Sequence, residues 1–306
     1  MTGGPEAERG VRHGAPPSPE PTRVMRITDC HVHVHPWREM RPEIVEVLRR
    51  GQPDADWLEA LMYDPRLLLA LMDEDGVDRV GLVNYPAPEV MGTDLRTILH
   101  AARYAEADPR RLLWYGGVHP RHTRDPAGDV DALADAGMRM LKVHPNHQAL
   151  PANAYADGLD AQAAIYRRCA ERDIPVLIHT GTSIFPGARC KWGNPLELDD
   201  VALDFPDLQI VLAHGGRPFW MGEAFFILRR HANVWFDLSG IPPKSLLDWF
   251  PKLAELERKL LWGSDWPSPG VTRMRKNIDQ FLALPLSDAV KRAALETNPD
   301  RLLPAR

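Results

Sequence analysis

The chain predicts an α/β fold, a single (β/α)8 TIM barrel of residues 25–306 behind a disordered N-terminal tail of residues 1–24. Three observations carry that prediction. Eight short, β-branched and nearly continuous apolar runs follow one another between residues 26 and 266. Segments with apolar residues at helical spacing lie between them. Histidine, lysine and aspartate recur at the C-terminal ends of the runs, the level at which such barrels carry their chemistry.

The runs are RITDCHVHV (26–34), DRVGLVNY (78–85), RLLWYGGVH (111–119), RMLKVH (139–144), IPVLIHT (174–180), LQIVLAHGG (208–216), NVWFDLSG (233–240) and KLLWGSDW (259–266). Strands covered on both faces read this way. Between them, DPRLLLALMDEDG (64–76) opens with Asp-Pro and closes with Gly, a start and stop pair. Residues 94–108, 157–173 and 218–232 have helical spacing. Residues 242–259 predict a helix kinked or restarted at Pro251. Residues 287–303 predict closing helices, and 38–60 an insertion forming a lid or rim. An open doubly wound sheet is the alternative, but no GxGxxG follows a strand and no GxxxxGK[ST] occurs.

The composition narrows the function. With 306 residues, 44% hydrophobic, the chain can bury a large core. A net charge of -5 gives no reason to expect nucleic acid or an anionic membrane as partner. No apolar run approaches the ~20 residues of a spanning helix, and the tail lacks the apolar centre of a signal peptide. Cys30, Cys169 and Cys190 form no disulfide framework and no CxxC. A cytoplasmic protein with reduced thiols, acting on a small molecule, is expected. A homo-oligomer is left open, because no interface can be read.

DCHVHVHP (29–36) raises the main chemical question. A strand's period of two puts His31 and His33 on one face. A lone HxH in a strand is more often a packing or surface feature than a ligand pair. Here, however, His179, His214 and Asp265 end other strands at the same level, and unpaired buried polar groups are costly. His31, His33, His179 and Asp265 therefore read as ligands of a divalent metal, zinc first, with one position open; manganese or iron also suits such donors. His35 precedes Pro36, past the expected strand end, and reads as a rim or supporting group. Asp29 and Asp237 are candidates to accept the second nitrogen of a ligating histidine.

Lys142, in MRMLKVHP, shares a face with His144. It reads either as a plain cation for a substrate carboxylate or as a carbamate bridging two metals, and a low pKa is required for the latter. With a second metal His214 is a ligand; without one it is a general acid/base.

Taken together, DCHVHV (29–34), LKVHP (141–145), PVLIHTG (175–181), IVLAHGG (210–216), LLWGSDWP (260–267) and LETNPDRLL (295–303) resemble the amidohydrolase superfamily. The closer resemblance is to the amidohydrolase-related branch that includes aminocarboxymuconate-semialdehyde-type decarboxylases. It implies metal ligands at His31, His33, His179 and Asp265, and His214 as a second-metal ligand or catalytic group. Lys142 matches the carboxylated lysine of binuclear relatives and leans the reading towards hydrolysis.

The leading expectation is thus hydrolysis of an amide, lactone or ester, with Asp265 taking a proton from metal-activated water and returning it to the leaving group. Non-oxidative decarboxylation, with His214 or Asp265 protonating carbon, is the alternative, and a dinuclear iron oxygenase a further one. Arg189, Arg217, Trp220 and His144 are candidate substrate contacts, the arginines for a carboxylate and the aromatic ring for an apolar body.

Overall fold

The computed structural model describes Met1 and residues 25–304, so the rest of the expected tail lies outside the described residues. Each of the eight expected runs contains a strand: β1 Thr28–Val32, β2 Arg79–Leu82, β3 Leu112–Trp114, β4 Leu141–Val143, β5 Val176–His179, β6 Ile210–Ala213, β7 Val234–Asp237 and β8 Leu260–Leu261. All pairs are parallel, in the orders β1-β2-β3 and β4-β5-β6-β7-β8.

Two seams close these into one ring. Between β3 and β4, Gly116 N donates to Met140 O at 3.1 Å and Lys142 N to Gly116 O at 2.6 Å. Between β8 and β1, Cys30 N donates to Trp262 O, His33 N to Trp266 O and Asp265 N to His31 O, all at 2.8–2.9 Å. The strands are nearly all buried, which is why they read as unbroken apolar runs rather than alternating ones.

The capped segments formed helices where expected. Pro65–Asp75 starts at Asp64, whose carboxylate accepts from Arg66 N at 3.0 Å, and stops at Gly76 with φ 64°. Leu95–Ala105 carries an Asp94/Thr97 capping box. Helices Asp160–Glu171 and Met221–Arg230 fill the cores of their expected segments. Three further helices, Pro126–Asp135, Glu197–Asp204 and Met274–Leu282, arise where the spacing alone is unconvincing. Residues 242–259 differ from expectation. They form two 3-10 stretches, Pro243–Ser245 and Leu253–Lys259, around one helical turn at Leu246–Trp249. The chain leaves the helical conformation at Phe250, the residue before Pro251, where that conformation is sterically disfavoured.

The last helices brace the barrel. A wide π turn, Ala293–Thr297, separates helices Asp288–Arg292 and Asn298–Leu302. Ala294 O accepts from Trp262 N at 3.0 Å, and the Asn298 amide donates to Leu260 O at 2.8 Å. Both contacts hold the very short β8. The insertion forms helices Pro42–Arg49 and Ala55–Leu61 and joins the rim; the Gln52 amide between them donates to Pro267 O at 2.7 Å. No helix among the described residues is long and apolar enough to cross a membrane. Cys30, Cys169 and Cys190 are unpaired.

Close packing in the barrel wall makes one position diagnostic. A Cβ on Gly81 in β2 would sit 2.2 Å from Tyr115 Oη and 2.7 Å from Cys30 O. Gly81→Ala is expected to destabilise the fold by about 1–3 kcal/mol through overpacking. A fall in the urea midpoint at unchanged slope checks this; an unchanged midpoint contradicts it.

Candidate metal centre and catalytic pocket

The C-terminal ends of the strands open into a cavity of about 460 Å³. His31, His33, His179, His214, Asp265, Lys142, His144 and Arg217 all line it. Arg189 and Trp220 do not. Arg189 is exposed at the start of a 3-10 turn, and the Trp220 ring stands edge-on to Phe219, 5.8 Å away. Trp37, Ser183, Phe185 and Ile241 complete much of the wall. Trp37 opens a 3-10 turn and the others arise from loops, where no periodicity tells which side chain turns inward.

β1 and β7 build the floor of the site. The His31 ring, fully buried on β1, donates through Nδ1 to Asp237 Oδ2 at 2.5 Å. Ser239 Oγ lies 3.0 Å from the same nitrogen, 3.1 Å from His214 Nδ1 and 2.8 Å from Asp237 Oδ2. Gly263 makes this meeting across β8 feasible. A Cβ there would fall 2.6 Å from Asp237 Oδ1, 2.7 Å from His31 Cβ and 2.9 Å from Ser239 Cβ. Of the two aspartates expected to support a histidine, Asp237 reaches a ring. Asp29 instead accepts from His31 N at 3.2 Å and Ser264 N at 2.9 Å, tying β1 to the β8 loop. Burial pushes the Asp29 carboxyl up to about 7.

The hydrogen bonds leave lone pairs aimed inward. His31 Nδ1 and His214 Nδ1 both act as donors, the latter to Ser239 O at 2.8 Å. His33 Nδ1 donates to Val83 O at 3.2 Å. In the His31 and His214 rings the Nε2 lone pair is then free, whereas His33 Nε2 hydrogen-bonds Asp265 Oδ1. His33 Nε2 lies 3.1 Å and His31 Nε2 3.5 Å from the same oxygen, Asp265 Oδ1. The ligating atoms of His31, His214 and Asp265 lie within 4.8 Å of one another. The His179 ring packs edge-on to His214 at 4.7 Å. His31 Nε2 and His179 Nε2 are buried with no hydrogen-bond partner. Lone pairs converging on a carboxylate, with orphaned buried nitrogens beside them, are a donor set that fits a divalent cation.

The electrostatics agree with that fit. Burial lowers the His31, His179 and His214 rings below their ordinary value, so they stand as neutral ligands. Burial would raise Asp265, but its hydrogen bond to His33 and the nearby His31, His33 and Arg217 outweigh it, and the carboxylate stays ionised. His214 and Asp265 share a backbone peculiarity. Both have left-handed φ, 68° and 63°. Each such non-glycine residue costs roughly 1–3 kcal/mol and is held by its surroundings. Here Arg217 N donates to His214 O, Asp265 N to His31 O and Ser268 N to Asp265 O.

The remaining candidates ring this centre. Lys142 is buried and its Nζ has no hydrogen-bond partner; burial pushes its pKa down to about 8. Arg217 donates to Gly240 O and places Nη2 3.6 Å from Asp265 Oδ2. His144 stacks on His179 at 3.8 Å, and its Nδ1 is also orphaned. His35 stacks behind His33 at 5.0 Å and is held by Asn84 at 2.9 Å, a supporting place on the rim.

A closed parallel barrel with an inward-facing His/Asp donor set at its C-terminal mouth defines the class of metal-dependent TIM-barrel enzymes. Residues 28–305 match the amidohydrolase family, and the chain belongs to it. No curated protein matches the chain. Among solved structures, an uncharacterised TIM-barrel protein of Bordetella bronchiseptica is similar at 22% identity and TM-score 0.71, over 91% of this chain and 98% of its own. The 5-carboxyvanillate decarboxylase of Novosphingobium aromaticivorans, complexed with manganese and a nitrobenzoic acid, is similar at 16% identity and TM-score 0.65, over 92% and 97%. The 2,6-dihydroxybenzoate decarboxylase of Rhizobium gives 18% identity and TM-score 0.62, over 92% and 99%.

The His31–Asp237 bond has a measurable consequence. Asp237→Asn removes the charge that orients the ring and is expected to weaken divalent-cation affinity 10–100-fold. Competition with a metallochromic chelator measures it; an unchanged affinity contradicts the orienting role.

Proposed function

We propose that the protein is a decarboxylase of small, planar carboxylic acids that works with one divalent cation. The observation that carries this reading is that a buried cation, Lys142, and a partly buried one, Arg217, share one cavity with the His/Asp donor set. Such a cavity can grip a substrate carboxylate at both ends of its charge. Trp37, Tyr85 and Phe185 supply flat apolar wall. The manganese-bound 5-carboxyvanillate decarboxylase and the 2,6-dihydroxybenzoate decarboxylase share the fold and add support.

His31, His33, His179 and Asp265 would hold the cation, which as a Lewis acid would bind the substrate carboxylate or a neighbouring oxygen. Lys142, with a pKa near 8, is mostly an ammonium at neutral pH. Its unpartnered Nζ has donors to spare for a carboxylate. His214, neutral with a free Nε2, and the ionised Asp265 are both proton acceptors at rest. One of them takes a proton from a substrate hydroxyl or water. As the carbon–carboxylate bond breaks, its electron pair stays on carbon, and the stored proton is delivered there to form C–H. Ser239 and Asp237 hold both histidine rings in the tautomer this requires.

Hydrolysis of a lactone, ester or amide is the second reading, and Lys142 is what favours it. A buried lysine amine with its pKa near 8 is accessible to CO2 as the free base. Its carbamate would add a carboxylate for a second metal, zinc included, and His214 would then be a ligand. Asp265 would accept the proton of the attacking water.

Metal content per chain, with assays for CO2 release from hydroxybenzoic acids and for lactone and ester cleavage, separates the two. One ion per chain, with CO2 release lost on chelation and restored by manganese or zinc, is expected. Two ions with lactone cleavage and no CO2 release would overturn the decarboxylase reading. Lys142→Ala is expected to keep its one ion and raise KM about 10–100-fold, the loss of one charge-assisted hydrogen bond. Loss of metal in that variant would favour the carbamate instead.

A further inference from the structure

A second polar array lines the same cavity and takes no part in the chemistry above. Ser183 Oγ lies 2.7 Å from His147 Nε2, and His147 Nδ1 lies 2.9 Å from Tyr85 Oη. Tyr85 Oη in turn reaches Met91 Sδ at 3.1 Å, and Phe185 N reaches Ser183 Oγ at 3.2 Å. One proton arrangement satisfies every contact. Met91 Sδ only accepts, so the Tyr85 hydroxyl donates to it and its oxygen accepts from His147 Nδ1. The His147 Nε2 lone pair then faces Ser183. The Phe185 amide donates to Ser183 Oγ, whose own hydrogen is directed at His147.

The middle member is fixed and uncharged. His147 is buried, stacks on His144 at 3.5 Å and lies 5.2 Å from the Phe185 ring. Burial, and beyond it the charge of Lys142, keeps the ring neutral. Ser183 is partly exposed to the cavity. A hydroxyl within hydrogen-bond reach of a base, with that base oriented by a third group, is the arrangement of an activated nucleophile, and such triads are recognised by geometry and role.

We propose that Ser183, His147 and Tyr85 form a metal-independent nucleophilic array that accepts the acyl group of activated esters. Ser183 Oγ attacks the carbonyl carbon and forms a C–O bond while its proton passes to His147 Nε2. The bond to the leaving alcohol or phenol then breaks, and that group departs with the proton from His147. Water repeats the sequence on the acyl-serine, releasing the acid and restoring Ser183. Tyr85 fixes the His147 tautomer, but its neutral phenol does not offset an imidazolium charge as a carboxylate does. The array is therefore suited to aryl esters and fluorophosphonates, not to amides.

The test uses the full-length protein stripped of metal by chelation. It is treated with a fluorophosphonate and mapped by mass spectrometry, with p-nitrophenyl acetate hydrolysis followed in parallel. One adduct per chain on Ser183 is expected, and Ser183→Ala removes it. His147→Gln is expected to slow labelling about 100-fold or more, the range of a lost general base. Tyr85→Phe is expected to slow it less, about tenfold. An unlabelled Ser183 in the wild type overturns the proposal, as does full-rate labelling of a His147→Gln variant that melts like the wild type. Because no metal is present, a failure here leaves the decarboxylase reading standing, and the reverse also holds.

Discussion

The contact between His31 and Asp237 is the constraint on which the site depends. It joins β1 to β7 over the top of β8, and only the missing side chain of Gly263 lets it form. By fixing Nδ1 as a donor it turns Nε2 inward. Ser239 extends the same arrangement to His214. Two rings, one on β1 and one just past β6, thus present lone pairs to one point. The cost of orienting those groups is met during folding, so it does not recur on binding.

Burial and charge then divide the labour. The imidazoles are neutral because they are desolvated, and Asp265 is ionised because its neighbours outweigh its desolvation. A cavity with several neutral donors, one fixed anion and the cations Lys142, Arg217 and Lys276 on its wall is polarised before a ligand arrives. The left-handed backbone at His214 and Asp265 places two of those groups where an extended strand end would have turned them elsewhere. Strain at those two positions and order around them belong to one design.

Much of this was legible in the sequence, and the physical reason differs by element. The eight strands stood out because a strand covered on both faces admits little but apolar residues. The helix Pro65–Asp75 stood out because its cap and stop residues satisfy specific backbone groups. Pro126–Asp135 did not, being short and rich in small and acidic residues. Residues 242–259 have helical spacing, yet Pro242, Pro243 and Pro251 interrupt it and 3-10 stretches form on either side of one helical turn. In the site, His31, Lys142 and His179 lie within strands, whose alternation fixes their direction, whereas His214 and Asp265 follow their strands and are turned by left-handed backbone. Loop groups were not predictable. Arg189 and Trp220 read as pocket contacts and lie outside the wall, whereas Trp37 and Ser183 line it. No periodicity constrains where a loop residue points.

The seam between the first and last strands has a consequence for how the molecule holds together. His33 and Asp265 meet there from positions 232 residues apart in the chain, beside the three backbone hydrogen bonds that close the ring. An ion gripped by both sides would act as a clasp on that joint, in effect a reversible cross-link between the two ends of the fold. Occupancy would then be coupled to global unfolding, since an ion bound to the closed ring and not to the open chain stabilises it in proportion to RT ln(1 + [L]/Kd). The joint between the first and last strands is thus also the place where its chemistry is assembled.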